Sequence, residues 1–191
     1  MRYKPPSLVG DASREGATAG SAAEAFRDWH DFYILLGTAA ATLIGAMFVV
    51  ASIGAGFLTR RHAPQIRVFL TPTVIHLSSI VLASILAVVP ALAWRTLAVG
   101  LAAGGGAGLA YSAAVGWDVV RRRVEWSDQV WYALVPIVGY GAVLAGALSI
   151  FLGALPSFPA IASGLAVLLV ASIRNAWDMI VFFASQDRRS E

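Results

Sequence analysis

Arg174, Asn175 and Asp178 stand inside an otherwise apolar run, ASIRNAWDMIVFF, over residues 171–183. Arginine and aspartate four residues apart share one face of a helix and can pair. Ser163 and Val167 fall on nearly the same face at helical periodicity. One other ionisable group occurs in a comparable setting. His76 lies in TPTVIHLSSI (71–80), with Thr73 and Ser79 flanking it on one side of a helix. Shielded from bulk water, such groups relay protons, hold ions or clamp helices together. Which of these applies depends on the elements that carry them.

Composition points to a membrane. The chain has 191 residues, 58% hydrophobic and 13% charged, with a mean hydropathy of +0.72. A soluble domain carries roughly 25% charged residues. There is no cysteine, so disulfides, thiolate metal sites and cysteine nucleophiles are excluded. The one lysine is Lys4, in the polar N-terminal stretch, which excludes a retinal-type Schiff base inside a bundle. Residues 1–20 contain no apolar core of signal-peptide length and are expected to form a flexible polar tail. The first apolar segment would then act as its own uncleaved signal.

Five windows supply the roughly 20 mostly apolar residues that a membrane helix needs. They predict helices over 21–58, 68–92, 96–119, 129–154 and 159–184, in a transmembrane domain of 21–186 followed by a tail of 187–191. Ser21 and Glu24 have capping-box spacing and mark the first start. Pro72 falls near the start of the second helix, where a missing N–H does little harm. Pro136 predicts a bend in the fourth. LPSFP (155–159) is so short that helices four and five should be antiparallel neighbours.

Three arginine clusters fall on one side of such a bundle: Arg60, Arg61 and Arg67; Arg121, Arg122 and Arg123; Arg188 and Arg189. The other side has Arg95 alone between helices two and three, and acidic residues near the first helix. The positive-inside rule then predicts N-terminus out and C-terminus in. Trp29 and Trp94 would mark the outer boundary, and Trp117, Trp126 and Trp131 the inner one. Anionic lipid headgroups are expected at Arg121, Arg122 and Arg123.

Length decides where the opening residues sit. A fifth helix that stopped before Arg174 would be too short to span, and MIVFFA (179–184) would be left in water. Arg174, Asn175 and Asp178 therefore belong inside the bilayer, where a central arginine or aspartate costs roughly 2.5–3.5 kcal/mol. His76 lies roughly 12 Å inside the inner end of its helix, a depth that overlaps theirs. A cluster of His76, Arg174, Asn175 and Asp178 is expected where helix two meets helix five. It would serve as a proton relay, an ion site or a structural clamp.

Small residues form ladders at four-residue spacing: Gly100, Gly104, Gly108, Ser112 and Gly116 in helix three; Gly141, Ala145, Ser149 and Gly153 in helix four; Gly37, Ala41 and Gly45 in helix one. That spacing lets backbones approach closely, within one chain or between copies. Asp28, His30 and Asp31 would stand at an outer mouth. No HExxH, GxSxG or phosphate-loop motif occurs, and no enzymatic activity, cofactor, metal or nucleic-acid binding is expected. His30 and His62 lie too far from His76 in depth for one chain to supply a bis-histidine haem.

WHDFYILLGTAAATLIGAMFVVAS (29–52) together with SIRNAWD (172–178) resembles a group of short bacterial integral membrane proteins. The resemblance covers parts of the first and last helices. It implies a helical bundle in the bacterial cytoplasmic (inner) membrane and no particular activity. The sequence thus predicts an all-α, multi-pass bundle of five transmembrane helices in contact with the lipid bilayer, forming a homo-oligomer. The leading expectation is an oligomeric ion-conducting channel, anion-selective if Arg174 faces the pore and proton- or cation-selective if Asp178 and His76 do. The alternative is a non-conducting scaffold or regulator of a partner membrane protein, with the polar cluster as glue.

Overall fold

A chain this apolar has little surface suited to water, and in lipid it must satisfy its N–H and C=O groups internally, which helices do locally. A computed structural model of the chain describes residues 9–55, 63–89, 92–121, 129–152 and 157–187, with side chains for 29–52, 71–89, 92–121, 129–152 and 158–181. Among the described residues there is no β-strand. There are five long helices: α1 (Val9–Ala55), α2 (Ala63–Val88), α3 (Trp94–Arg121), α4 (Val135–Phe151) and α5 (Ser157–Asp187). A π-helical turn, Val130–Leu134, leads into α4. Each helix holds a stretch long and apolar enough to cross a membrane: Trp29–Ser52, Thr71–Val88, Trp94–Arg121, Val130–Phe151 (with the π turn) and Phe158–Val181.

Two local expectations, both about helix starts, need correction. α1 begins at Val9, so Ser21 and Glu24 lie within the helix and do not cap it. Alanine fills six of the fourteen positions from 12 to 25, and its helix propensity outweighs one capping signal. α2 begins at Ala63, which puts Pro72 in its interior, where it has no N–H for the carbonyl of Val68. At Pro136 the chain makes a π turn: the Val135 N–H reaches back five residues to the Val130 carbonyl, and Pro136 enters the first turn of α4.

The helices pack in chain order around a ring, with α2 and α5 also in contact across it. α4 and α5 form the most extensive pair. Their closest approach is at two glycines. A Cβ placed on Gly164 would lie 2.5 Å from the Gly139 carbonyl oxygen, and one on Gly139 would lie 2.8 Å from Leu168 Cγ. Any side chain at either glycine would force the backbones apart. At the other side of the ring, Gly37 of α1 admits Ser84 of α2.

Tyr33, Leu36, Ala40, Leu77, Ile80, Leu97, Leu101, Val143, Leu165 and Leu168 form a contiguous apolar core. Large apolar side chains also cover the outside: Leu35, Phe48, Leu82, Val99, Val138 and Trp177 are exposed. Such a belt on all five helices is unfavourable in water and matches a hydrocarbon solvent.

Candidate functional site

Polar side chains gather in the half of the bundle nearer the α1–α2 and α3–α4 connections. His76 and Thr73 of α2, Ser112 of α3 and Asn175 of α5 are each about 1% exposed, and Tyr140 of α4 is equally buried. Tyr140 stands where the ring of helices leaves room for one aromatic side chain. Gly108 of α3 makes that room, because a Cβ there would lie 2.1 Å from the Tyr140 ring.

A directed hydrogen-bond chain crosses this space. The Tyr140 hydroxyl donates to Ser79 Oγ over 3.0 Å, and Ser79 donates to the Ile75 carbonyl over 2.8 Å. The Tyr140 proton is thereby committed, so its oxygen accepts from His76 Nδ1–H, 3.0 Å away. The chain assigns His76 the Nδ1–H tautomer. Tyr111 of α3 packs its ring edge against His76, with centroids 6.4 Å apart. One imidazole thus ties α2 to α3 and α4.

Arg174 and Asp178 form the expected i,i+4 ion pair within the Phe158–Val181 span. Both are partly exposed, and the Arg174 guanidinium lies 5.9 Å from the centre of the Trp131 ring in the π turn. A cation over an indole face gains about 0.5–2 kcal/mol, more as water is withdrawn. Pairing and stacking together offset part of the membrane cost of the charge.

Among the described residues no hydrogen bond or ion pair joins His76 to Arg174, Asn175 or Asp178. The expected four-residue cluster is divided into a His76–Tyr140–Ser79 chain and an Arg174–Asp178–Trp131 group. Helix-face arithmetic places residues along one helix and leaves open which neighbour each one meets. Asn175 belongs to neither set: its amide oxygen and nitrogen are both buried without a hydrogen-bond partner, as is Ser112 Oγ. Beyond Tyr140 the core is apolar apart from Ser84 and the Tyr33 hydroxyl, which donates to the Phe158 carbonyl over 3.2 Å.

Of the expected outer mouth, Asp28 lies outside the described side chains. His30 Nδ1 and Asp31 Oδ1 are 3.3 Å apart and exposed. In the α3 ladder, Gly108, Ser112 and Gly116 are buried, Gly108 against Tyr140 of α4 and Gly116 against Ala133 of the π turn; Gly100 meets Leu86 of α2, and Gly104 has nothing within 4 Å. In α4, Gly141 has no neighbour within 4 Å, Ala145 is exposed, and the Ser149 hydroxyl bonds the Ala145 carbonyl of its own helix. The buried diagonal of α4 is Pro136, Gly139, Tyr140, Val143, Gly146 and Ala147. Gly153, Arg122, Arg123 and Trp126 lie outside the described residues, and Arg121 ends α3 exposed.

Sequence reasoning missed Tyr140 and Tyr111, and read Trp131 as a boundary marker without its contact to Arg174. The available signal was position, since tyrosine in mid-span has a hydroxyl that must find a partner. No protein family, curated protein or solved structure matches the chain.

Proposed function

We propose that this chain is a multi-pass protein of the bacterial inner membrane, N-out and C-in, that acts as a non-conducting scaffold or regulator of other membrane proteins. The observation that carries this reading is that the polar interior is closed. The chain from His76 ends on a backbone carbonyl of its own helix, and the core beyond Tyr140 is apolar apart from Ser84 and the Tyr33 hydroxyl. Arg174 is neutralised within its own helix. These are the properties of glue between helices. The surface offered to partners is the outer face of α3, where Ala103, Gly104, Ala107, Ala110 and Ala114 are open. Lipid-facing positions usually carry larger side chains, and small ones let another helix approach.

A second reading, an oligomeric ion-conducting channel, is favoured by Asn175 and Ser112. Unpartnered groups inside a membrane are costly unless water or an ion meets them. Purified protein in liposomes with ion- and proton-sensitive dyes separates the two. The scaffold reading expects flux equal to empty vesicles at every pH and voltage. Flux that Asn175→Leu abolishes would replace it with the channel.

A further inference from the structure

Asn175 lies inside the Phe158–Val181 span, about 1% exposed, and neither of its amide atoms has a hydrogen-bond partner. An amide has two N–H donors and a carbonyl with two lone pairs. Burying such a group unpaired is costly, so buried amides meet protein or ordered water. Helical side chains lean toward the helix N-terminus, which lays the Asn175 amide over the turn that holds Ala171 and Ser172. Both are small, and both are buried. The Ser172 hydroxyl donates to the Leu168 carbonyl over 2.8 Å, which leaves its Oγ lone pairs to accept. Residues three apart on a helix have Cβ atoms about 5–6 Å apart. Polar groups at such a separation are bridged by water.

The chemistry selects water over an ion. A cation would meet Oδ1 and be repelled by the Nδ2–H groups, and an anion would do the reverse. Either would need a counter-charge, and no Asp, Glu, Lys or Arg is buried among the described residues. Arg174 and Asp178 on the same helix neutralise each other. Water donates and accepts, as the amide does. We propose that ordered water is held between the Asn175 amide and Ser172, accepting from Nδ2–H and donating to Oδ1 and to Ser172 Oγ. Buried waters make about three such bonds to protein groups. The inference rests on the closed interior of the scaffold reading, which keeps this water from exchanging freely with bulk.

Asn175 is the only asparagine in the chain, so isotope-labelled asparagine gives a single side-chain amide signal. Solid-state NMR of the full chain in liposomes of deuterated lipid tests the proposal. We expect strong transfer of magnetisation from water to the amide protons, and a water that exchanges with bulk far more slowly than surface hydration does. Ser172→Ala removes one acceptor and should speed that exchange about five-fold. Circular dichroism and elution volume confirm that the variant is folded. An amide that receives no magnetisation from water overturns the proposal and leaves the scaffold reading standing. Exchange unchanged by Ser172→Ala also overturns it, because the water would not be held there. Water that exchanges as fast as bulk, together with ion flux that Asn175→Leu abolishes, overturns both, because Asn175 would then line a conducting path.

Discussion

Tyr140→Phe removes one oxygen atom and keeps the ring on Gly108. The hydroxyl it deletes is the middle of the chain from His76 to Ser79. Ser79 still donates to the Ile75 carbonyl and loses little. His76 keeps an Nδ1–H at about 1% exposure with its partner gone. A buried donor left unpaired costs about 1–3 kcal/mol. Side-chain hydrogen bonds in membrane bundles couple more weakly, near 0.6 kcal/mol on average and up to about 1.7. The burial of His76 puts this pair toward the upper figure. A cycle of Tyr140→Phe, His76→Phe and the double variant, measured by reversible unfolding in mixed detergent micelles, should therefore return a coupling of about 1–1.7 kcal/mol. Ser149→Ala is the control, because that exposed hydroxyl bonds a carbonyl of its own helix. If Tyr140→Phe costs no more than Ser149→Ala, the chain does not hold α2 to α4.

Overpacking should sort the glycines by space: Gly108→Ala and Gly164→Ala, whose Cβ atoms would meet neighbours at 2.1 and 2.5 Å, should each lose about 1–3 kcal/mol of stability in the same unfolding assay. Gly104→Ala and Gly141→Ala, with nothing within 4 Å, should be neutral or stabilising by up to about 1 kcal/mol. Asp178→Asn leaves Arg174 uncompensated and should lower the yield of folded protein in membranes, and the double variant Arg174→Gln with Asp178→Asn should restore it; an unaltered yield for Asp178→Asn would show that the pair is not needed for insertion. Because the chain has no cysteine, Ser190→Cys is a single-site orientation probe. A membrane-impermeant thiol reagent should label it in inverted vesicles and leave it unlabelled in right-side-out ones.

The five spans and the place of Arg174, Asn175 and Asp178 within the last were legible in the chain, because both follow from counting apolar residues against a bilayer. The Arg174–Asp178 pair was legible too, since both members lie on one helix. Helix starts were read less well. The capping box at Ser21 and the proline at residue 72 are single local signals, and the residues around them continue the helix past both.

Contacts between helices were a different matter. His76 lies inside the second span, yet its partner is Tyr140 and not the residues of α5, because Gly108 leaves a hollow that the tyrosine ring enters. The ladders were visible as spacing, but the α4 diagonal that packs inward runs through Gly139 and Tyr140, while Gly141 has no close neighbour. Asn175 looked like one member of a cluster and lies buried with neither amide atom bonded. Periodicity within a helix is a property of one segment and can be read from its residues in order. The rotation and register of one helix against the next depend on how side chains from separate segments fill a common space, and that emerges only when all five are packed.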